Sequence, residues 1–341
     1  MVTEKLIIAP ARGSIPRQHE NYKKKPWLLA GMVKMFSLES ILPPLKSESL
    51  QCLQRLSNYS PVRLHRRLPR KRSAAVAVIL FVGRLGDLYV LLSTRAGNMR
   101  TYAHDTALPG GKCEEGDLDA EDTARREAFE EIGLPMDRQK IRKLSLLDPY
   151  LTGNSLVVTP VVFLVTDYSL IPLLNADEVS QLFSMPLASF LHTRPSLIPS
   201  FHYNISHRLV ALPPGVIDAI PLPPPVTYAE DEGEVGGKNG RFYTFRDVKW
   251  GEGKVRMHRF LTGREAYGVK PVYGLTAAIL IKTASIGFDQ CPDFNIHAPG
   301  QKSMEERLEY EIWHTSSALR RAVEAEGLIN DWVPSEAKAK L

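Results

Sequence analysis

The chain has 341 residues, enough for one large domain or two ordinary ones, since single hydrophobic cores stop growing above roughly 250 residues. Hydrophobic residues make up 44% and charged residues 24%, which excludes a chain too polar to bury a core. Three widely spaced cysteines, Cys52, Cys113 and Cys291, form no CxxC or Cys/His spacing; they suggest neither a disulfide framework nor a zinc site and fit a reducing compartment.

The first forty residues mix Lys23, Lys24 and Lys25 with acids and prolines around short apolar clusters. A secretory signal needs a longer apolar core, and Glu4 and Glu20, with few serines and arginines, disfavour a mitochondrial presequence. Residues 1–72 read as an N-terminal extension, partly disordered, with a short helix and a basic linker, and Met35 is a candidate later start. Much of the net charge of +5 lies in that linker, between Arg63 and Arg72. A solvated connection, a contact to an anionic ligand and non-specific polyanion binding all fit the run. One local run is weaker than a basic face, so nucleic acid is not an expected partner.

Residues 74–82 are uniformly apolar and rich in β-branched side chains, and a glycine-bearing turn at 83–87 leads to a second run at 88–92. The pattern predicts a hairpin of buried strands. Residues 119–132 have helical periodicity, with Gly133 as a left-handed stop and Pro135 beyond it. A strand is expected at 155–166, a short helix at 177–183 and a late helix at 275–286. Strands and helices interleave, so the fold class is α/β or α+β. No run reaches the ~18 apolar residues a membrane span needs. Residues 212–240 turn abruptly to proline, glycine and acid; they read as a surface insertion, either a lid or a disordered loop, inside a domain spanning 73–290. Residues 291–341 form a C-terminal helical extension and tail. Its last residues, Ala339-Lys340-Leu341, follow the small-basic-leucine pattern of a peroxisomal address, which names the peroxisomal import receptor as an expected partner.

The chemistry concentrates between Leu108 and Leu134. A Pro109-Gly110-Gly111 turn precedes a helix carrying Arg126, Glu127, Glu130 and Glu131. Positions i, i+3 and i+4 share a helix face, so the three glutamates are expected on one patch. Crowded carboxylates repel and call for a cation, and oxygen-only ligands select a hard ion, Mg²⁺ or Mn²⁺. Arg126 stands four residues before Glu130 and is placed to hold that carboxylate. Gly110 and Gly111 let backbone approach a ligand closely. Carboxylates with metal ions activate water and offset charge on a diphosphate, so the inferred reaction is hydrolysis. A glutamate-rich helix that is merely a solvated face would not need the Pro-Gly-Gly turn and the Gly-hydrophobe ending together.

This segment resembles the Nudix box, Gly-x5-Glu-x7-Arg-Glu-U-x-Glu-Glu-x-Gly-U with U a bulky aliphatic residue. Gly111, Arg126, Glu127, Glu130, Glu131, Gly133 and Leu134 match it, and Ala128 stands at the first U. Asp117 replaces the first glutamate, with eight residues rather than seven before Arg126. Both departures are shared by the coenzyme A diphosphatase branch, whose box is similar to Pro109–Lys112, Asp117 and Thr123–Gly133 here. Leu91–Arg95, Val158–Val162, Asp177–Val179, His258–Phe260 and Val272–Ala277 are similar to that branch's other landmarks. Ahead of the box, Tyr102-Ala103-His104-Asp105 stands where the branch usually has His-x-Gly-Gln.

The resemblance implies a Nudix fold, an α/β/α sandwich around a mixed sheet. It implies that Glu127, Glu130 and Glu131, with the Gly111 carbonyl, bind Mg²⁺ or Mn²⁺, and that one glutamate orients or deprotonates water. Glu178 is an outside candidate for that base, against a role capping the short helix. For Arg95 and Lys112, phosphate contact and salt bridges to the acidic box are both open. The implied substrate is coenzyme A or acyl-CoA, split into 3′,5′-ADP and phosphopantetheine or its acyl form, in the peroxisome or otherwise the cytoplasm or mitochondrion. NADH, ADP-ribose or capped RNA is the alternative substrate, and a non-catalytic nucleotide or RNA binding module the alternative of another class.

Overall fold

The computed structural model describes residues 42–61, 66–194, 241–251, 253–313 and 316–332. The first forty residues, the start of the basic run at Arg63, the 212–240 insertion and Ala339-Lys340-Leu341 lie outside the described residues.

Helix α1 (Ser47–Asn58) leads to strand β1 (Ser73–Val82), whose apolar run is buried on both faces at the centre of a sheet. Strand β2 (Leu88–Arg95) returns antiparallel to β1 across the expected turn, with Leu80 opposite Val90. After β3 (Thr106–Ala107), β4 (Gly110–Lys112) lies antiparallel along the first half of β1, with Ala75 opposite Gly111. Helix α2 (Ala120–Ile132), β5 (Ile141–Leu146) and β6 (Tyr150–Leu151) then bring β7 (Val157–Val165) parallel to β1, from Ser73 opposite Val157 to Leu80 opposite Leu164. Two parallel strands need such a crossover, and α2 rides in it. Strand β8 (Val179–Pro186) pairs antiparallel with β2 and completes an eight-stranded mixed sheet among the described residues.

A separate three-stranded sheet, β9 (Tyr243–Trp250), β10 (Gly253–Phe260) and β11 (Val272–Tyr273), runs into helix α3 (Gly274–Phe288). Two further helices, α4 (Met304–Trp313) and α5 (Ala318–Ala325), follow. The period-two alternation of β1 sends Ala75, Ala77, Ile79 and Phe81 against Ala124, Ala128 and Ile132 of α2. Val78, Leu80 and Val82 face the other way, against Cys52, Leu53 and Leu56 of α1 and Leu280 and Ala284 of α3. Helices therefore cover both faces of a mixed sheet, as in the sandwich expected. A third cluster joins Leu308, Ile312, Leu319, Val323 and Trp332 to Leu151 and Val157, so the C-terminal helices pack on the sheet's near end.

The short helix expected at 177–183 is not formed. Residues 177 and 178 form a turn and 179–183 begin β8, because β2 offers a ladder along which Val179, Leu182 and Phe183 bury their side chains. Glu178 accordingly caps no helix; it sits in the turn before β8, where its N–H donates to the Asn175 carbonyl. No helix among the described residues is long and apolar enough to cross a membrane.

Candidate active site

Helix α2 starts where Asp119 caps it, its carboxylate accepting the Asp122 N–H at 3.0 Å. It ends at Gly133, whose φ of 67° is the left-handed stop. A side chain there would strike Leu173 backbone, because the Leu173 and Asn175 N–H groups bond the last helical carbonyls, those of Ile132 and Glu131. With Ala124, Ala128 and Ile132 turned to the sheet, Glu127, Glu130 and Glu131 are left on the other flank.

Arg126 organises the box. Its Nε and Nη2 each lie 3.1 Å from the Asp117 carboxylate, and Nη2 also donates to the Lys112 carbonyl at 2.9 Å. Its Nη1 stands 3.0 Å from both Glu127 and Glu130. Asp117 is buried and also accepts from the Glu114 N–H and the Thr123 hydroxyl. Burial alone would raise its carboxyl, but those bonds hold it below the usual carboxylate range. The aspartate that stands in for the box's first glutamate thus locks the loop to the helix.

The three glutamates do not share one environment. Glu131 is 5% exposed, and burial, with the nearby Glu127 charge, pushes its carboxyl up to about 8 against the opposing pull of Arg95 and a backbone hydrogen bond from Gly110. Burial also raises the Glu127 carboxyl, opposed by Arg126. Glu178 adds negative charge to both. Glu130 is half exposed and joined to this pair through Arg126. Glu130 and Glu131 stand about 100° apart around the helix, on either side of Glu127, so the three share a flank but not a degree of burial. Among the described residues no three acidic, His or Cys side chains are arranged to hold an ion unaided.

Gly111 lies against Glu127 so closely that any side chain there would occupy the carboxylate's place. Gly110 is pressed on the backbone of Ala75 and Val76, so packing requires a glycine there, whereas a side chain at 111 would displace the Glu127 carboxylate. Arg95, at the end of β2, has a buried Nε with no hydrogen-bond partner among the described residues. Lys112 is exposed and belongs to no ion pair recorded among the described residues, so the salt bridge to the acidic box weighed for it is not formed.

The stretch 102–105 is a tight loop in which Tyr102 (φ 58°) and His104 (φ 63°) adopt left-handed backbone. The exposed His104 ring packs over Gly97. Asp105 is buried and accepts from Lys270 at 2.7 Å and from the Tyr273 hydroxyl, and Lys270 also donates to the Ala103 carbonyl. The pairing of Lys270 with Asp105 escapes a sequence reading because nothing local ties residues so distant in the chain. The basic run is likewise bonded rather than merely solvated: Arg66 pairs with Glu309, Arg67 with Asp331, and Arg72 with the Asn154 and Ser155 carbonyls.

A family model described as the NUDIX domain matches residues 71–209. Nudix hydrolase 22, chloroplastic, of Arabidopsis thaliana is 40% identical over a match covering 71% of this chain and 63% of that protein. Peroxisomal coenzyme A diphosphatase 1 of Saccharomyces cerevisiae is 38% identical, the match covering 35% of this chain and 42% of that protein. An uncharacterized Nudix hydrolase, NudL, of Escherichia coli is 33% identical over 39% of this chain and 68% of that protein. The chain therefore spans less than two thirds of the length of the first two relatives.

Proposed function

The chain belongs to the Nudix hydrolase family, and from that premise we propose that it hydrolyses the diphosphate of coenzyme A or acyl-CoA, releasing 3′,5′-ADP and phosphopantetheine or its acyl form. The observation that carries the reading is the buried Glu131 beside the half-buried Glu127 and the Gly110-Gly111 turn, where burial and the Glu127 charge outweigh the pull of Arg95. The complete set of box glutamates speaks against a binding module that has lost catalysis. The match to a coenzyme A diphosphatase and the box's Asp117 variant support the substrate.

Nudix hydrolases generally use divalent metal ions, and this donor set fits a hard one: carboxylates and a backbone carbonyl, with a raised Glu131 that an added positive charge would relieve. Glu127, Glu130, Glu131 and the Gly111 carbonyl would hold Mg²⁺ or Mn²⁺, which when bound supplies positive charge to the diphosphate and acidifies water. Arg95, with its unpaired buried Nε, and the exposed Lys112 would bind phosphate oxygens, orienting the anhydride and offsetting its developing charge. The Glu178 charge acts on both Glu127 and Glu131, and the water's proton would pass to a carboxylate of this group. Asp117 and Arg126 act by position. They hold the turn and the helix in one register.

Purified protein incubated with Mg²⁺ and CoA, acetyl-CoA, NADH or ADP-ribose, followed by mass analysis of the fragments, tests the substrate. Release of 3′,5′-ADP from CoA or acetyl-CoA at a higher kcat/KM than cleavage of the other two is the expected result. Preference for NADH or ADP-ribose would replace the CoA assignment with the alternative substrate class. Peroxisomal residence through Ala339-Lys340-Leu341 is part of the same proposal; the relatives named above carry peroxisomal and chloroplastic designations.

A further inference from the structure

We infer that Arg70 is a positioning residue for the catalytic loop, coupling the C-terminal helices to the box, an inference that rests on the function proposed above. A single nitrogen, Arg70 Nη2, donates to the Asp117 carbonyl at 2.8 Å and the Glu114 carbonyl at 2.7 Å, with the Glu115 carbonyl at 3.4 Å. Three carbonyls turned toward one point repel one another unless a cation sits among them, so the loop's shape depends on that guanidinium. The same loop carries Asp117, whose carboxylate holds Arg126, which in turn holds Glu127 and Glu130.

Arg70 is itself held from the other side. Its backbone N–H and that of Lys71 donate to the Glu326 carboxylate at 2.9 and 3.1 Å. Glu326 ends α5, where a negative charge faces the helix's own negative pole and is locally unfavourable. The two N–H groups of the Arg70–Arg72 turn offset that cost. Around this contact Trp332 is fully buried and donates to the Arg67 carbonyl, and Arg66 lies over its ring at 5.3 Å. The strap 66–72 is thus clamped by the C-terminal helices at its back and grips the box loop at its front.

The consequence is a chain of contacts from Glu326 through Arg70 and Asp117 to the metal-binding flank of α2. None of its side-chain links reaches substrate, so its loss should cost turnover rather than substrate affinity. Small displacements of catalytic groups cost up to about 100-fold in rate, and an exposed guanidinium replaceable by water should cost less, about 10-fold.

The test compares Arg70→Ala, Arg70→Lys and Glu326→Gln with wild type, using Arg67→Ala as the control that breaks a C-terminal tie without touching the loop. CoA turnover with Mg²⁺ and hydrogen exchange of the amides from 114 to 119 are both measured on the full chain. Expected for Arg70→Ala are a kcat about 10-fold lower, an unchanged KM, faster exchange confined to that loop and an unaltered melting temperature. Arg70→Lys should recover part of the rate, Glu326→Gln should shift both readouts in the same direction, and Arg67→Ala should shift neither. Wild-type kcat in Arg70→Ala, with or without faster loop exchange, would overturn the inference. Should wild type cleave none of the diphosphates, the functional reading fails by itself; unchanged loop exchange in Arg70→Ala would then refute the clamp, and accelerated exchange would sustain it.

Discussion

The two ends of α2 each bury a glutamate, Glu121 at 3% and Glu131 at 5% exposure, and the two behave oppositely. Around Glu121 stand Arg125 and Arg138, each at 2.9 Å, and Lys143. Burial would raise its carboxyl, but Lys143 and Arg125 hold it below the usual range. Glu131, on the same helix and equally buried, has Glu127 and Glu178 for neighbours and rises to about 8. Burial alone therefore does not mark a functional carboxylate. The distinction is whether the protein supplies the countercharge itself, as it does at Glu121, or leaves it to be supplied from outside.

That contrast can be broken most sharply at the open end. Glu130→Gln is expected to lower kcat for the diphosphate substrate roughly 10³-fold, about 4 kcal/mol, while leaving the melting temperature near that of wild type. Steady-state kinetics on a variant of verified fold decide it, and a near-normal rate would dismiss the metal-site assignment.

The closed end should fail in stability rather than in chemistry. Glu121→Ala would strand Arg125, a 4% exposed side chain whose Nε bonds Glu121, whose Nη1 and Nη2 have no hydrogen-bond partner among the described residues and whose guanidinium lies 4.7 Å from the Phe163 ring centre. Removing one member of a buried ion pair costs about 3 kcal/mol, which denaturant unfolding would register, with kcat of the folded protein unchanged. A loss under about 1 kcal/mol would mean that the network around Glu121 carries no more than an exposed pair does.

Smaller, and specific to Glu131, is a dependence on pH in chelator. Its folded pKa of about 8 lies above the unfolded value of 4.5, so the unfolded chain releases its proton first as pH rises. Stability should therefore fall with rising pH, including the interval from 6.5 to 8, and level off above the folded value. Added Mg²⁺ should restore it by favouring the ionised form, and Glu131→Gln should flatten the slope. Melting curves across that interval that match in wild type and variant would remove the case for an uncompensated carboxylate.

Signals legible in the chain were those written over a few consecutive residues. The apolar run at 74–82 became β1, and the helix from 119 to 132 came with its Asp119 cap and Gly133 stop, because strand alternation, capping and a left-handed glycine are local physics. The segment at 177–183 misled for the opposite reason: its short mixed pattern suits either state, and pairing with β2 decided it. The β9–β10 hairpin is not legible in the chain, although His258–Phe260 within it resembles a family landmark.

By itself the sequence placed Arg126, Glu127, Glu130 and Glu131 on one helix after a Gly-Gly turn, since spacing along a helix translates directly into position around it. Tertiary structure alone decided which carboxylates are compensated and which are not. Lys143, Arg138, Arg95, Glu178, Lys270, Arg70 and Glu326 reach the box or its neighbouring loops from other strands, turns and helices, and no periodicity relates them to α2. Because a carboxylate's charge state is set by what the fold brings within a few ångströms of it, that part of the site exists only once the chain has folded.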